Sequence, residues 1–213
     1  MEALDWRSVH DGLAVALAAR GLELTHAFSL RSIDGLFAHS SPDALAILVG
    51  NTRSLWKALE AETLEVADPV NHYVESALLS SLDEANAPPH QVYWTHSRYD
   101  GSYLPFQRIA HAAGFAHLSP SLLLIHREHG PWFALRAMIV FELLGPEAQP
   151  APDPCSHCLQ PCLPALAAAE RSDEWRAWLA VRDACPEGIA SRYGEVQIRY
   201  HYTKDRSLLK GSR

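Results

Sequence analysis

Three of the four cysteines fall within eight residues, Cys155-Ser156-His157-Cys158-Leu159-Gln160-Pro161-Cys162, and the fourth, Cys185, precedes Pro186. Thiolates held this closely can converge on one ion or cluster, which is the chemistry of zinc and iron–sulfur sites. The iron–sulfur spacing C-x2-C-x2-C-x3-C-P is kept for its last three cysteines, but Pro152 stands in the first place and Leu163 displaces the proline by one residue. Cys185 can supply a fourth thiolate. The expected metal set is therefore Cys155, Cys158, Cys162 and Cys185, holding a 4Fe-4S cluster ahead of zinc. The competing reading is a loop that has lost its metal, its thiols free or paired.

Arginine offers a second chemistry. Arg136 interrupts the otherwise apolar run 132–140, and burying a guanidinium is costly unless it is paired. Either it meets an internal carboxylate, Asp183 or Glu142, or it binds an anionic ligand in a pocket. Arg182-Asp183 poses the same choice. Of the twelve histidines, His126 and His129 flank a turn at spacing i, i+3, as metal ligands or as polar turn residues. His111 lies in the small-residue run 109–116, which admits either a large flat partner or another backbone. The sequence has no GxGxxG, no P-loop, no GxSxG and no HExxH, so nucleotide, serine-hydrolase and zinc-protease chemistry have nothing to rest on.

These residues need a scaffold, and the composition provides for one. The 213 residues are 48% hydrophobic and 20% charged, which suits a folded domain with a sizeable core. The net charge of −7, with 15 Arg against three Lys, argues against nucleic-acid binding. No apolar run approaches the roughly 18 residues of a membrane span. Residues 1–6 lack a basic, then apolar, start, so a cytoplasmic protein is expected, where clustered thiols signal metal or redox chemistry.

Along the chain, residues 3–20 read as an amphipathic helix. Residues 45–49 are an apolar run of the kind buried on both sheet faces. Thr52 is placed as N-cap of a helix carrying Leu55, Trp56 and Leu59. Asp68-Pro69 opens another, ending before Ala87-Pro88-Pro89. Residues 91–96 have strand composition and residues 104–115 read as a helix. Residues 122–126 and 132–142 are expected to pair as a hairpin around Gly130-Pro131. The Cys/Pro-rich segment 145–164 cannot be regular for long. Residues 174–184 read as a Trp-bearing helix, and residues 196–202 as a last helical or extended piece. Helices and strands alternate first and a hairpin follows, so an α+β fold with a mixed sheet flanked by helices is expected, as one domain over 1–213.

Two stretches carry a resemblance: Ile109-Ala110-His111-Ala112-Ala113-Gly114-Phe115-Ala116, and the run from Leu122 through His126-Arg127-Glu128-His129-Gly130-Pro131 to Arg136. With Leu45–Val49 followed by Asp68-Pro69-Val70-Asn71, and Arg182-Asp183-Ala184, Arg192-Tyr193 and Arg206-Ser207-Leu208-Leu209, they resemble the CblC-type cobalamin-processing proteins, the cyanocobalamin decyanases and alkylcobalamin dealkylases. The same hairpin region resembles the cobalamin domain of epoxyqueuosine reductases and reductive dehalogenases, in which ferredoxin-type cysteines follow. The chain is CblC-like in length and ends, reductase-like in its cysteines.

The resemblance implies a nitroreductase-like sheet holding cobalamin base-off, near His111, Ala113, Gly114 and Ala116. It implies that Arg136, Arg182 and Arg206 bind the carboxylates of a thiol such as glutathione. Three outcomes follow from it: removal of the upper axial ligand, by decyanation with reduced flavin from a partner or by thiol-dependent dealkylation; a non-catalytic chaperone that passes cobalamin to an acceptor enzyme; and an iron–sulfur-dependent cobalamin reductase. A flavin reductase and a cobalamin-dependent enzyme are the implied partners.

Overall fold

The computed structural model describes residues 5–33, 40–62 and 66–209. Its centre is a four-stranded sheet in the order β1-β2-β8-β3, formed by β1 (Leu24–Ser29), β2 (Ala44–Asn51), β8 (Ala134–Leu144) and β3 (His90–Trp94), with every pairing antiparallel. The α+β class, with a sheet flanked by helices, is as expected.

Side-chain alternation along β2 builds both layers. Leu45, Ile47 and Val49, with Ala137, Ile139 and Phe141 of β8, pack under α1 (Trp6–Ala18), α2 (Ser54–Glu60) and α3 (Pro69–Glu84). Ala44, Ala46 and Leu48, with Met138 and Val140, face the opposite way onto Phe28 and α4 (Phe106–Ala112). Each large aliphatic side chain so buried contributes roughly 1.5–3 kcal/mol. That is why an unbroken apolar run, with no polar face, reads as a strand covered on both sides.

The helix starts follow local chemistry. Asp5 caps α1 by accepting from the Ser8 amide at 2.8 Å, and the expected residues 3 and 4 of that helix lie outside the described residues. Asp68 caps α3 by accepting from Asn71 N at 3.1 Å, with Pro69 at the first helical position. The start of α2 departs from expectation. Arg53, not Thr52, precedes the helix, without a side-chain cap. The Thr52 amide and hydroxyl and the Ser54 hydroxyl all go to the Glu23 carboxylate, whose demand for donors outweighs the cap.

The expected hairpin of 122–126 with 132–142 does not form. Leu122 has φ +62, which no strand residue adopts. The short β7 (Leu124–Ile125) pairs with β6 (His117–Leu118), and β8 takes β2 and β3 as partners. Between them His126 and Gly130 exchange backbone hydrogen bonds of 2.9 and 2.8 Å, closing a tight turn. A two-stranded ribbon, β4 (Arg98–Tyr99) with β5 (Ser102–Tyr103), follows β3. Strand β1 carries no expectation from the sequence, because Thr25, His26 and Ser29 dilute its pattern.

The C-terminal third is helical: α5 (Cys162–Ala169), α6 (Trp175–Asp183) and α7 (Glu195–Thr203), with 3-10 turns at Ile189–Ser191 and Arg206–Leu209. Trp132, Tyr193 and Ile198 form a small core there, and Cys162, Ala169 and Val181 another. This third is fastened to the His126–Gly130 turn by a crossing of two glycines. Gly130 (φ +52) and Gly188 (φ +65) lie so close that a Cβ on Gly188 would overlap the His129 carbonyl carbon. Among the described residues no helix is long and apolar enough to cross a membrane.

Candidate functional site

Where α2 and α7 meet the start of β8, they enclose a cavity of about 110 Å³ lined by Arg136, Tyr193, Gln197, Tyr200, His201 and Lys204 with apolar residues of α2. Arg136 reaches it from β8. Its Nε donates to Asn51 Oδ1 at 2.6 Å, and Asn51 in turn donates to the Thr52 carbonyl at 2.6 Å. Neither expected carboxylate meets it. Asp183 is taken by Arg192, in a bidentate pair of 2.7 and 3.1 Å, and Glu142 is exposed further along β8. Among the described residues, Arg136, Arg182 and Arg206 form no ion pair at all.

The groups around the cavity feel one another's charge. Burial, then Arg182, Lys204 and Arg136, pushes His201 down to about 3. Burial and Arg136 also lower Lys204. Burial raises Tyr193 against the pull of Arg182 and Arg136, and raises Tyr200 against Arg206 and Arg136. The acid nearest in effect to Arg136 is Asp68, which is committed to capping α3. Two donors are orphaned: Nη1 of Arg182 and the Tyr193 hydroxyl are buried without a partner. The Arg182 guanidinium lies 5.8 Å from the centroid of the Trp132 ring. The Glu23 carboxylate, whose Oε2 is likewise buried without a partner, also acts on Tyr193, and buried donors without a partner are costly unless something fills them.

Arg136 thus lines the cavity, Arg182 acts on Tyr193 and His201 without lining it, and Arg206 is exposed and acts on Tyr200. Sequence reasoning missed Asn51, Tyr193, His201 and Lys204 as members of this set. The signal was the i, i+4 spacing of Gln197 and His201, which puts two polar side chains on one face of α7, with Lys204 at its left-handed C-cap.

The four cysteines form a second constellation. All are free, and all line one cavity of about 20 Å³ with Ser119, Ser121, Ile125 and Glu187. Cys155 and Cys158 sit in the loop, Cys162 opens α5, and Cys185 follows α6. Burial pushes the Cys155 thiol up to about 11, with Asp153 and the other three cysteines adding to the rise. Burial likewise raises Cys185. The Cys155 and Cys185 thiols therefore stay protonated at neutral pH, and a bound cation would reverse that.

The residues expected near a corrin lie at the end of α4. His111 is exposed; its Nδ1 accepts from the Leu118 amide at 3.2 Å, and its ring stands edge-on to His117 with centroids 5.4 Å apart. Ala113 and Ala116 are fully buried. Gly114 (φ +80) is crossed so closely by the Gln149 carbonyl that no Cβ would fit. The small residues here admit the chain's own backbone, and the accessible surface is His111 and the open groove beyond it, lined by His117, Leu118, Ser119, Asp153 and Cys155. His117, Asp153 and Cys155 bring their ligand atoms within 4.8 Å of one another. His126 and His129 build their turn: the rings stack at 4.9 Å, His126 Nδ1 accepts from the Glu128 amide at 3.2 Å, and burial with His129 pushes His126 down to about 4.

No protein-family model matches the chain, and no curated protein matches it in sequence. Solved structures do match. The fold is similar to that of a Caenorhabditis elegans B12-trafficking protein CblC, a human MMACHC homologue, with a TM-score of 0.75 at 17% identity over 96% of this chain and 95% of that one. It is also similar to an epoxyqueuosine reductase, with a TM-score of 0.56 at 14% identity over 88% of this chain and 68% of that one. A Bacillus subtilis epoxyqueuosine reductase gives 0.53 at 12% identity, over 88% and 67%. The expected likenesses to a CblC-type protein and to epoxyqueuosine reductases are found, and they establish a shared fold.

Proposed function

We propose that the chain, as one domain over 1–213, binds a cobalamin as substrate and removes its upper axial ligand, with a thiol such as glutathione held in the cationic cavity. The observation that supports this reading is Arg136: a guanidinium inside an apolar strand, satisfied by one neutral amide, beside the orphaned donors of Arg182 and Tyr193. The fold shared with a B12-trafficking protein supplies the cobalamin half of the reading.

In this proposal Arg136 and Arg182 bind the thiol's carboxylates and Arg206 closes the rim. His111 and Gly114, at the end of α4, border the corrin, with Ala113 and Ala116 supporting them from the core. In thiol-dependent dealkylation the thiolate forms a bond to the alkyl carbon while the cobalt–carbon pair stays on cobalt, leaving a thioether and a metal reduced by two electrons. The chain's own task is to orient that sulfur and exclude water. In decyanation the electrons come from a reduced flavin supplied by a partner.

A non-catalytic carrier is the second reading, favoured by the trafficking role given for the C. elegans neighbour. Visible spectra of the purified protein with cyanocobalamin or methylcobalamin, with and without glutathione, separate the two. A shift to base-off followed by glutathione-dependent loss of the methyl group is expected. A shift without turnover selects the carrier, and no shift overturns both. Arg136→Ala should keep the base-off shift and weaken glutathione binding by roughly 10–100-fold, the loss of a charged hydrogen-bonding partner.

A further inference from the structure

We propose that Cys155, Cys158, Cys162 and Cys185 together hold an iron–sulfur cluster and not a single zinc ion. The segment 155–162 and the residue after α6, Cys185, deliver the four thiols to one cavity, none of them paired as a disulfide. Their spacing points to the occupant. Cys155-x2-Cys158-x3-Cys162 keeps the last three positions of the bacterial ferredoxin run C-x2-C-x2-C-x3-C, and Cys185, followed by Pro186, brings a fourth thiol to the same cavity.

The surroundings agree. The cavity wall is otherwise small or neutral, apart from Glu187, and carries no Lys or Arg that would pair with free thiolates. The Gln160 amide donates to Cys158 Sγ at 3.3 Å, the kind of hydrogen bond that tunes a cluster sulfur. Cys162 is the first residue of an eight-residue helix, where the helix dipole favours a thiolate. The Gly130–Gly188 crossing fixes the segment that brings in Cys185.

One arrangement competes for Cys155. With His117 and Asp153 it offers three ligand atoms to a single ion at the edge of the open groove, and His117 is already paired with Asp153 at 3.2 Å. One thiolate cannot serve both sites fully, so the two are distinguishable by which variants lose metal. The cluster assignment does not depend on the cobalamin reading, although Cys155 lines both the cysteine cavity and the groove beside His117.

The test is metal and sulfide analysis of the full chain, reconstituted anaerobically with ferrous iron and sulfide, or with zinc alone. The expected result is about four iron and four sulfide per chain, a broad visible absorbance bleached by dithionite, and a paramagnetic resonance signal in the reduced protein. Cys185→Ser should lower iron at least tenfold with unchanged circular dichroism, and His117→Ala should leave iron in place. Should Cys185→Ser fail to fold, Cys158→Ser in the partly exposed loop carries the same expectation. Stoichiometric zinc with no sulfide uptake, metal lost in His117→Ala but kept in Cys185→Ser, or protein that takes up neither metal would each overturn the proposal. Cobalamin spectra of the same samples keep the readings apart: metal-free protein that still turns cobalamin base-off refutes the cluster alone.

Discussion

The cationic cavity and the cysteine cavity are built by the same topological trick with opposite electrostatics. Each gathers like groups from separate elements: Arg136 and Lys204, with Arg182 acting on His201, in one, and the segment 155–162 with Cys185 in the other. In the first the charge cannot be discarded, because guanidinium stays protonated at any accessible pH. The cost of burying it is therefore carried by the resting protein, as orphaned donors on Arg182 and Tyr193 and as a neutral His201. In the second the groups shed their charge, since crowding and burial keep the Cys155 and Cys185 thiols protonated. In the resting protein one site carries unpartnered buried donors, while in the other the Cys155 and Cys185 thiols are neutral.

The widest-reaching way to break this contrast is to ask whether the two sites are mechanically separate. Gly188 holds the Cys185 segment against the His126–Gly130 turn at φ +65, with no space for a Cβ against backbone. Gly188→Ala should therefore cost roughly 3–5 kcal/mol, combining a left-handed conformation with an overlap that no flexible side chain can relieve. Denaturant unfolding with two probes checks it. Local damage, with fluorescence near Trp132 preserved while the Cys185 thiol becomes reactive, would confirm separate sites. A single cooperative loss would mean the two are one unit.

How far the sequence reached follows the same division. Strand β2 was legible because residues buried on both faces form an unbroken apolar run, and α3 because Asp68-Pro69 is a local signal that works locally. The hairpin expectation failed for a non-local reason: β8 is an inner strand whose partners β2 and β3 lie at least forty residues away, and a Gly-Pro turn says nothing about them. Helix α5 was missed because its prolines suggested irregularity. Pro161 precedes the helix and Pro164 falls in its first turn, where a missing N–H costs nothing. Arg136 was legible as an anomaly, but its company was not: Asn51, Tyr193 and His201 come from three other elements, each unremarkable alone. The cysteine set was legible in composition, while its convergence on one cavity exists only in the fold.

Acid provides a sharper comparison of the two sites. His201 and His126 sit near 3 and 4 in the folded protein against 6.5 when unfolded. Between those limits the unfolded chain binds more protons, so stability is intact above about pH 6.5 and falls as pH drops toward 4. The Cys155 and Cys185 thiols, raised by burial, are already protonated there and contribute nothing to the slope. The expected loss is on the order of 2 kcal/mol over that range, measured by urea unfolding at successive pH values. His201→Gln should remove part of the slope; an unchanged slope would mean the cationic cavity is not the source.

The smallest effect is the most specific, because its sign runs against intuition. Arg182 donates no hydrogen bond from its buried Nη1 and has no acidic partner among the described residues, so in the resting protein its charge is a burden. Replacing it by an apolar side chain of similar length removes an uncompensated buried cation without opening a large void. Arg182→Met should therefore stabilise the ligand-free protein by about 1 kcal/mol, a rise of roughly 2–4 °C in Tm for a chain of this size, while weakening glutathione binding. Added glutathione should then raise the Tm of the wild-type protein more than that of the variant. If Arg182→Met instead lowers the Tm without ligand, the guanidinium is paid for within the fold, by its contact with Trp132, and the cavity is not strained in anticipation of an anion.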